Sequence, residues 1–191
     1  MIASSRVAAV LLAAGRSIRF GQTDKLAYKL NEMPLGLHAA KTLLSISFAA
    51  HLAVVSENSV DYAGIGFSVV RNYTPSSGLS HSIRIGIAAA RKHHVDAILI
   101  ALADMPFVTA AHIGRLLAAY QDQSSIVGSM ARHACPPALF GRNWFDALEG
   151  LTGDHGAGAL LKGAVLIPSD DGTLADIDMV DDLAALGIPG H

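Results

Sequence analysis

The chain has 191 residues, of which 51% are hydrophobic and 16% charged, with a formal net charge of −2. That composition suits one compact domain with a real core and excludes intrinsic disorder. No block of Lys and Arg is present, so nucleic acid is not expected as the main partner, whereas a small phosphorylated ligand needs only two or three placed cations. The single cysteine, Cys135, permits neither a disulfide framework nor a cysteine-built metal site, and a reducing, cytoplasmic compartment is the simplest expectation. The apolar run Val7 to Ala14 is too short to cross a bilayer. Arg16 and Arg19 follow it where a signal peptide would carry a small-residue cleavage site, so no membrane partner is expected either.

In chain order, Val7 to Leu12 is continuously apolar, as in a parallel strand covered on both faces. Ala13 to Lys25 is polar and glycine-containing, a loop. Leu35 to Ile46 has helical spacing, and His51 to Val55 and Phe67 to Val70 are short strands. Ser80 to His93 reads as a helix with Ile83, Ile87 and Ala90 on one face. Ala97 to Leu102 is a second fully apolar strand, and Thr109 caps a helix through Tyr120. Ser125 to Met130 and Pro137 to Phe140 are strand candidates joined by Ala131 to Pro136. Phe145 to Leu148 and Ala157 to Leu161 are helical candidates, Ala164 to Ile167 and Leu174 to Ile177 strands, and Val180 to Leu186 a closing helix.

This alternation predicts a single-domain, Rossmann-like, three-layer α/β/α sandwich over residues 1–191 with a mostly parallel sheet. Ligands in such sheets bind outside the carboxyl ends of the strands. The loops after Leu12, Val70 and Leu102 are therefore expected at one edge.

The first of these loops runs from Leu12, Ala13, Ala14 and Gly15 through Arg16 and Arg19 to Lys25. Small residues at a strand end let main-chain N–H groups approach a ligand, and cations close behind complete a phosphate cradle. The glycine spacing matches neither the Walker A loop nor the dinucleotide fingerprint. An ordinary strand-to-helix turn with solvated cations is the competing reading.

The stretch from Leu12 to Lys25 resembles the signature L-A-A-G-x-S-x-R-x-G-x-x-K of the MobA-like nucleotidyltransferase family, with one extra residue before Lys25. Asn72 to Ile83 is similar to the family's N-x-x-x-x-x-G-L-x-x-S-L/I segment, Ala103-Asp104-Met105-Pro106 to its G/A-D-M-P, and Leu151 to Ala157 to L-x-G-D-x-G-A-R. Asp176-Ile177-Asp178 with Asp181-Asp182-Leu183 resembles D-I-D-T-P-E-D-L. The order of these segments holds along nearly the whole chain. Departures gather in the second half: Gly158 stands for the usual Arg, Met179 and Val180 for Thr and Pro, and Cys135-Pro136-Pro137 for Gly-His-Pro.

The resemblance implies a nucleotide-binding part over about residues 1–110 and an acceptor-binding part over about 111–191. It implies nucleotide contacts from Leu12, Ala13, Ala14, Gly15, Arg19, Lys25, Gly78, Ser80 and Ser82, and acceptor contacts from Gly153 and Asp154. Within the family the branch that cytidylates the molybdenum cofactor is the most similar. That branch implies CTP, a molybdopterin-type acceptor, and a molybdoenzyme or its maturation chaperone as recipient.

The residues themselves add a metal. Asp104 ends an apolar strand, and Pro106 biases Met105 away from helix, so the carboxylate sits at a strand-to-loop bend suited to Mg²⁺. In the family the matching aspartate holds the metal. Asp178 is the expected second ligand, with Asp176 competing because strand alternation would put both on one face. The nucleophile of nucleotidyl transfer is an ionised phosphate oxygen, so no general base is required; Arg19, Lys25 and Asp104 are the expected catalytic set. The nine histidines show no metal-binding spacing. The expected activity is transfer of CMP from CTP with release of pyrophosphate. The alternatives are a relative that uses GTP or another phosphorylated acceptor, and a non-catalytic binder of nucleotide or cofactor.

Overall fold

The computed structural model describes residues 1–15, 24–57, 60–153, 157–170, 172–179 and 182. Arg19, Asp154 and the helix expected over Val180 to Leu186 lie outside them, apart from Asp182. Seven strands form one sheet: β1 (Val7–Ala13), β4 (Ala50–Val55), β5 (Ser68–Arg71), β6 (Ala97–Leu102), β7 (Ile126–Met130), β8 (Ala134–Gly141) and β9 (Val165–Pro168). A separate two-stranded ribbon joins β2 (Lys29–Leu30) to β3 (Met33–Pro34). The helices are α1 (Leu35–Leu44), α2 (Gly78–Arg91), α3 (Ala110–Ala119) and α4 (Phe145–Glu149).

The sheet order is β5-β4-β1-β6-β8-β7-β9. All neighbours are parallel except β8, which runs against both β6 and β7. The two continuously apolar segments, β1 and β6, lie side by side in the middle, where both faces are covered. Their side chains alternate between two cores. Val7, Ala9 and Leu11 of β1 join Leu99 and Ala101 of β6 against α1 and α3. Val10, Leu12, Ile98 and Ile100 join Ile83 and Ile87 of α2 and Phe145 and Leu148 of α4 on the opposite face. This is the expected three-layer sandwich.

Local signals explain the helix boundaries and close approaches. Thr109 caps α3 by accepting the His112 N–H at 3.1 Å. Gly86 lets α2 lie on the sheet, because a Cβ there would come within 2.7 Å of the Val10 side chain.

Two expectations need correction. Leu174 to Ile177 forms no strand. Leu174 and Ile177 are buried as a strand's would be, at 7% and 0% exposure, but the segment joins no ladder and is held by its core side chains and the bond from Ile177 N–H to the Asp104 carbonyl, 2.9 Å. The strand placed at Pro137 to Phe140 begins earlier, at Ala134, because Cys135 and Ala134 pair with Ser129 and Met130; the connection is only Ala131 to His133.

Candidate active site

The chain runs from β1 outward to β4 and β5, then returns to β6 on the other side of β1. That reversal leaves a crevice at the carboxyl ends of β1 and β6, the usual ligand position in such sheets. The two exits are tied together by the Ala103 N–H, which donates to the Leu12 carbonyl at 3.1 Å. A cavity of about 350 Å³ occupies the crevice. Leu12, Ala13, Ala14 and Gly15 line it from β1, Leu102 and Asp104 from β6, and Pro75, Gly78, Leu79 and Ser82 from the loop and helix that follow β5. The three strand-end loops expected at one edge thus meet there.

The loop after β5 is shaped by Asn72, which is 3% exposed. Its Nδ2 donates to Ser82 Oγ at 3.0 Å and its Oδ1 accepts the Thr74 N–H at 2.9 Å, so one amide fixes both loop and helix. The helix then opens on Gly78, whose φ of 82° is left-handed backbone that favours glycine. Asn72 is a site-shaping residue that sequence reasoning left unassigned, although it begins the N-x-x-x-x-x-G-L segment. Ser82 lines the cavity. Ser80, expected beside it, is buried and donates instead to the Gly153 carbonyl. Gly153 therefore ties its loop to the start of α2, and it lines neither cavity described here.

Lys25 enters from a short 3₁₀ turn, Lys25–Ala27, in which the Asp24 carboxylate accepts the Leu26 N–H at 3.0 Å. Its ammonium donates to Asp104 Oδ2 at 2.8 Å and to Asp178 Oδ1 at 3.0 Å. The Lys25 side chain is 12% exposed, that of Asp104 26% and that of Asp178 44%. Burial alone would lower the Lys25 pKa, but the Asp104 and Asp178 carboxylates outweigh it and hold the ammonium above its ordinary 10.5. Asp104 Oδ1, also buried, has no hydrogen-bond partner among the described residues.

A second cavity, about 770 Å³, adjoins the first. Leu102 stands in both walls, and the neighbours Asp104 and Met105 face one cavity each. Met130, Arg132, His133, Cys135 and Asp176 line this second space. Burial pushes the Cys135 thiol up, with Asp176 adding to the shift and a main-chain bond from Ala131 opposing it. Asp176 and Asp178, expected on one face of a strand, are thus parted: Asp178 points at Lys25 and Asp176 at the second cavity. The segment is not a strand, so alternation does not apply to it.

A family model for the MobA-like NTP transferase domain matches residues 9–170. The chain belongs to that family. Among MobA-like relatives, the purine catabolism protein PucB of Bacillus subtilis (strain 168) is 35% identical over 187 residues, covering 88% of this chain and 90% of its own. The probable molybdenum cofactor guanylyltransferase of Thermococcus sibiricus is 28% identical over 62% of this chain and 58% of its own. The crystal structure of Rv0371C from Mycobacterium tuberculosis H37Rv, a complex with manganese, superposes with a TM-score of 0.77 at 21% identity, covering 95% of this chain and 97% of that one. At that identity it establishes the shared fold. Among the described residues no helix is long and apolar enough to cross a membrane.

Proposed function

We propose that this MobA-like chain transfers CMP from CTP to the phosphate of a molybdopterin-type acceptor and releases pyrophosphate. The observation that carries the proposal is the Lys25 ammonium held between Asp104 and Asp178 in the wall of the crevice cavity. A cation and two carboxylates at that point provide for both partners of such a reaction, phosphate oxygens and a hard metal ion.

The donor set fits Mg²⁺. Among the described residues no cluster of three or more His, Cys, Asp or Glu side chains is present, and Mg²⁺ commonly takes only one or two carboxylates, with water and substrate phosphates filling its shell. Asp104 Oδ1 is buried and has no hydrogen-bond partner among the described residues. Asp104 and Asp178 would hold the ion, which supplies charge neutralisation on the phosphates when bound.

The chain's own residues provide the rest. Gly78 and Leu79 line the cavity at the first turn of α2, where main-chain N–H groups lie beyond the helix's internal bonding and favour phosphate. Lys25, with Arg19, neutralises the departing pyrophosphate as an oxygen of the acceptor phosphate bonds to the α-phosphorus and the α–β bridging bond breaks, its electron pair leaving with pyrophosphate. The small side chains of Ala13 and Ala14, both lining the cavity, leave room for a base beside the strand end. The second cavity takes the acceptor, since Asp104 and Met105 place the two spaces on either side of one strand exit.

The choice of cytosine rests on the Leu12-Ala13-Ala14-Gly15 loop, against a relative named as a guanylyltransferase. Purified protein with Mg²⁺ and molybdopterin is expected to release pyrophosphate from CTP faster than from GTP, ATP or UTP. Release from no nucleotide would make the protein a binder, and preference for GTP would move it to the guanylyl branch.

A further inference from the structure

Strand β8 leaves its ladder with β7 for two residues. Gly128 pairs with Ala138, but the next residue, Ser129, pairs with Cys135, so Pro136 and Pro137 stand out of register. Neither proline has an N–H to offer a neighbouring strand. The carbonyl of Pro137 is served by a side chain instead: Ser129 Oγ, fully buried, donates to it at 2.6 Å. A hydroxyl that donates its proton there still accepts, and His112 Nε2 on α3 lies 2.8 Å away, also fully buried.

The other imidazole nitrogen sets the tautomer. Arg115 Nη2 is 3.1 Å from His112 Nδ1. A guanidinium only donates, so Nδ1 accepts, Nε2 carries the proton, and that proton goes to Ser129. Donation runs one way, from Arg115 to His112 to Ser129 to Pro137. Buried polar groups cost stability unless bonded, and a chain of them bonded in full specifies one local geometry. That geometry belongs to the wall of the second cavity, which Cys135 and Pro136 line from the bulge and Met130, Arg132 and His133 from the hairpin end.

We infer that Ser129 and His112 are positioning residues for the acceptor: they hold the bulge at Cys135 to Pro137 in place as the wall the acceptor meets. This rests on the reading that the acceptor enters the second cavity. Neither residue touches substrate, so the effect on turnover is confined to one of the two substrates.

Cys135 is the only cysteine in the chain, so its alkylation by iodoacetamide, followed by intact mass at fixed pH, reports on this wall with no acceptor present. Ser129→Ala deletes both bonds and is expected to speed alkylation about fivefold or more, the release one net hydrogen bond allows. Arg115→Met, on the exposed surface of α3, frees the tautomer without disturbing the core and is expected to speed alkylation by a smaller factor; it decides the question if Ser129→Ala does not fold. Ser129→Thr keeps the hydroxyl and is expected to restore the wild-type rate. In turnover, Ser129→Ala should raise KM for molybdopterin and leave KM for CTP unchanged. Alkylation at the wild-type rate in both deletion variants overturns the inference, and so does an equal rise in both KM values. Wild-type protein that turns over no molybdopterin would instead fail the functional reading, and alkylation would still decide whether the relay holds the wall.

Discussion

The main-chain N–H of Ile177 donates to the carbonyl oxygen of Asp104 at 2.9 Å. Asp178 follows directly, so its carboxylate is delivered to Lys25 by a bond to the very residue whose side chain Lys25 also holds. The two acids are joined twice, through main chain and through the ammonium.

Asp104→Asn preserves that main-chain bond and most of the shape while removing the charge. The fold is expected to survive, shown by an unchanged circular dichroism spectrum. Pyrophosphate release should fall about a hundredfold or more, the scale of losing one charge-stabilising group at a reaction centre. Wild-type rates with an ordinary Mg²⁺ titration would remove Asp104 from the proposed site.

Lys25→Ala is expected to weaken CTP binding by about tenfold or more and to leave CMP binding nearly unchanged, since charge-assisted bonds to the outer phosphates are what is lost. Calorimetric titration of both nucleotides checks this; equal losses would place Lys25 elsewhere in the mechanism. The stability it contributes has a defined pH window. Its pKa is raised in the fold, so the contribution is complete below 10.5 and lost only as pH climbs through the raised value. The melting deficit of Lys25→Ala should therefore be the same at neutral and at mildly alkaline pH.

Base selection should favour cytosine. The expected kcat/KM for CTP exceeds that for GTP by about tenfold or more, because a site that bonds one base's polar edge leaves its own groups unpaired against another. Ala14→Gly, which opens the slot beside the strand end, should narrow that ratio. A ratio unmoved by the added space would mean the base is read by other residues.

Gly36 and Tyr62 should be coupled. A Cβ on Gly36 would stand 2.3 Å from the Tyr62 hydroxyl and 3.1 Å from Leu26 Cβ, so Gly36→Ala is expected to cost about 1–3 kcal/mol by overpacking. The Tyr62 hydroxyl is buried with no hydrogen-bond partner among the described residues, so Tyr62→Phe should be neutral or stabilising. The double variant should recover most of the loss, a non-additivity that denaturant unfolding of the four proteins would measure.

Acid should destabilise the fold through His112. Burial, with Arg115 adding and Asp170 opposing, holds its pKa below the ordinary 6.5. The fold prefers the neutral ring, so this contribution is complete above 6.5 and is lost as pH falls through the lower folded value. Wild-type melting temperature should decline as pH falls below 6.5 more steeply than that of His112→Gln. Parallel curves would show that the imidazole stays neutral, or is protonated, alike in both states.

The two central strands and the amphipathic helices were legible in the sequence because hydrophobic period reports burial directly. Leu174 to Ile177 reads as a strand for the same reason: its pattern records core contacts at Leu174 and Ile177, and burial on one side does not require a ladder. Ser80 reads as a nucleotide contact by its place at the start of a helix, but its hydroxyl serves Gly153, a partner far along the chain. Motif positions, the place of Asp104 at the end of an apolar strand and the cations after Gly15 foreshadow the convergence of Lys25, Asp104 and Asp178, while the choice between Asp176 and Asp178 depends on a strand that does not form. The Pro136-Pro137 pair is itself a local signal of an interrupted ladder, but the buried bond from His112 to Ser129 that completes the arrangement comes from another element and leaves none.

Asp104 and Asp178 are carried very differently. The first leaves the end of β6, a strand bonded on both sides in the middle of the sheet. The second rides on a segment outside the sheet, anchored by the Ile177 bond and by the Asp182 carboxylate, which accepts the N–H groups of Asp178 and Met179. Moving the first would break ladder bonds of the central sheet; moving the second would withdraw Leu174 and Ile177 from the core but break no ladder bond. The crevice thus draws one carboxylate from the central sheet and the other from a segment outside it, held by the core side chains of Leu174 and Ile177 and by the bond to Asp104.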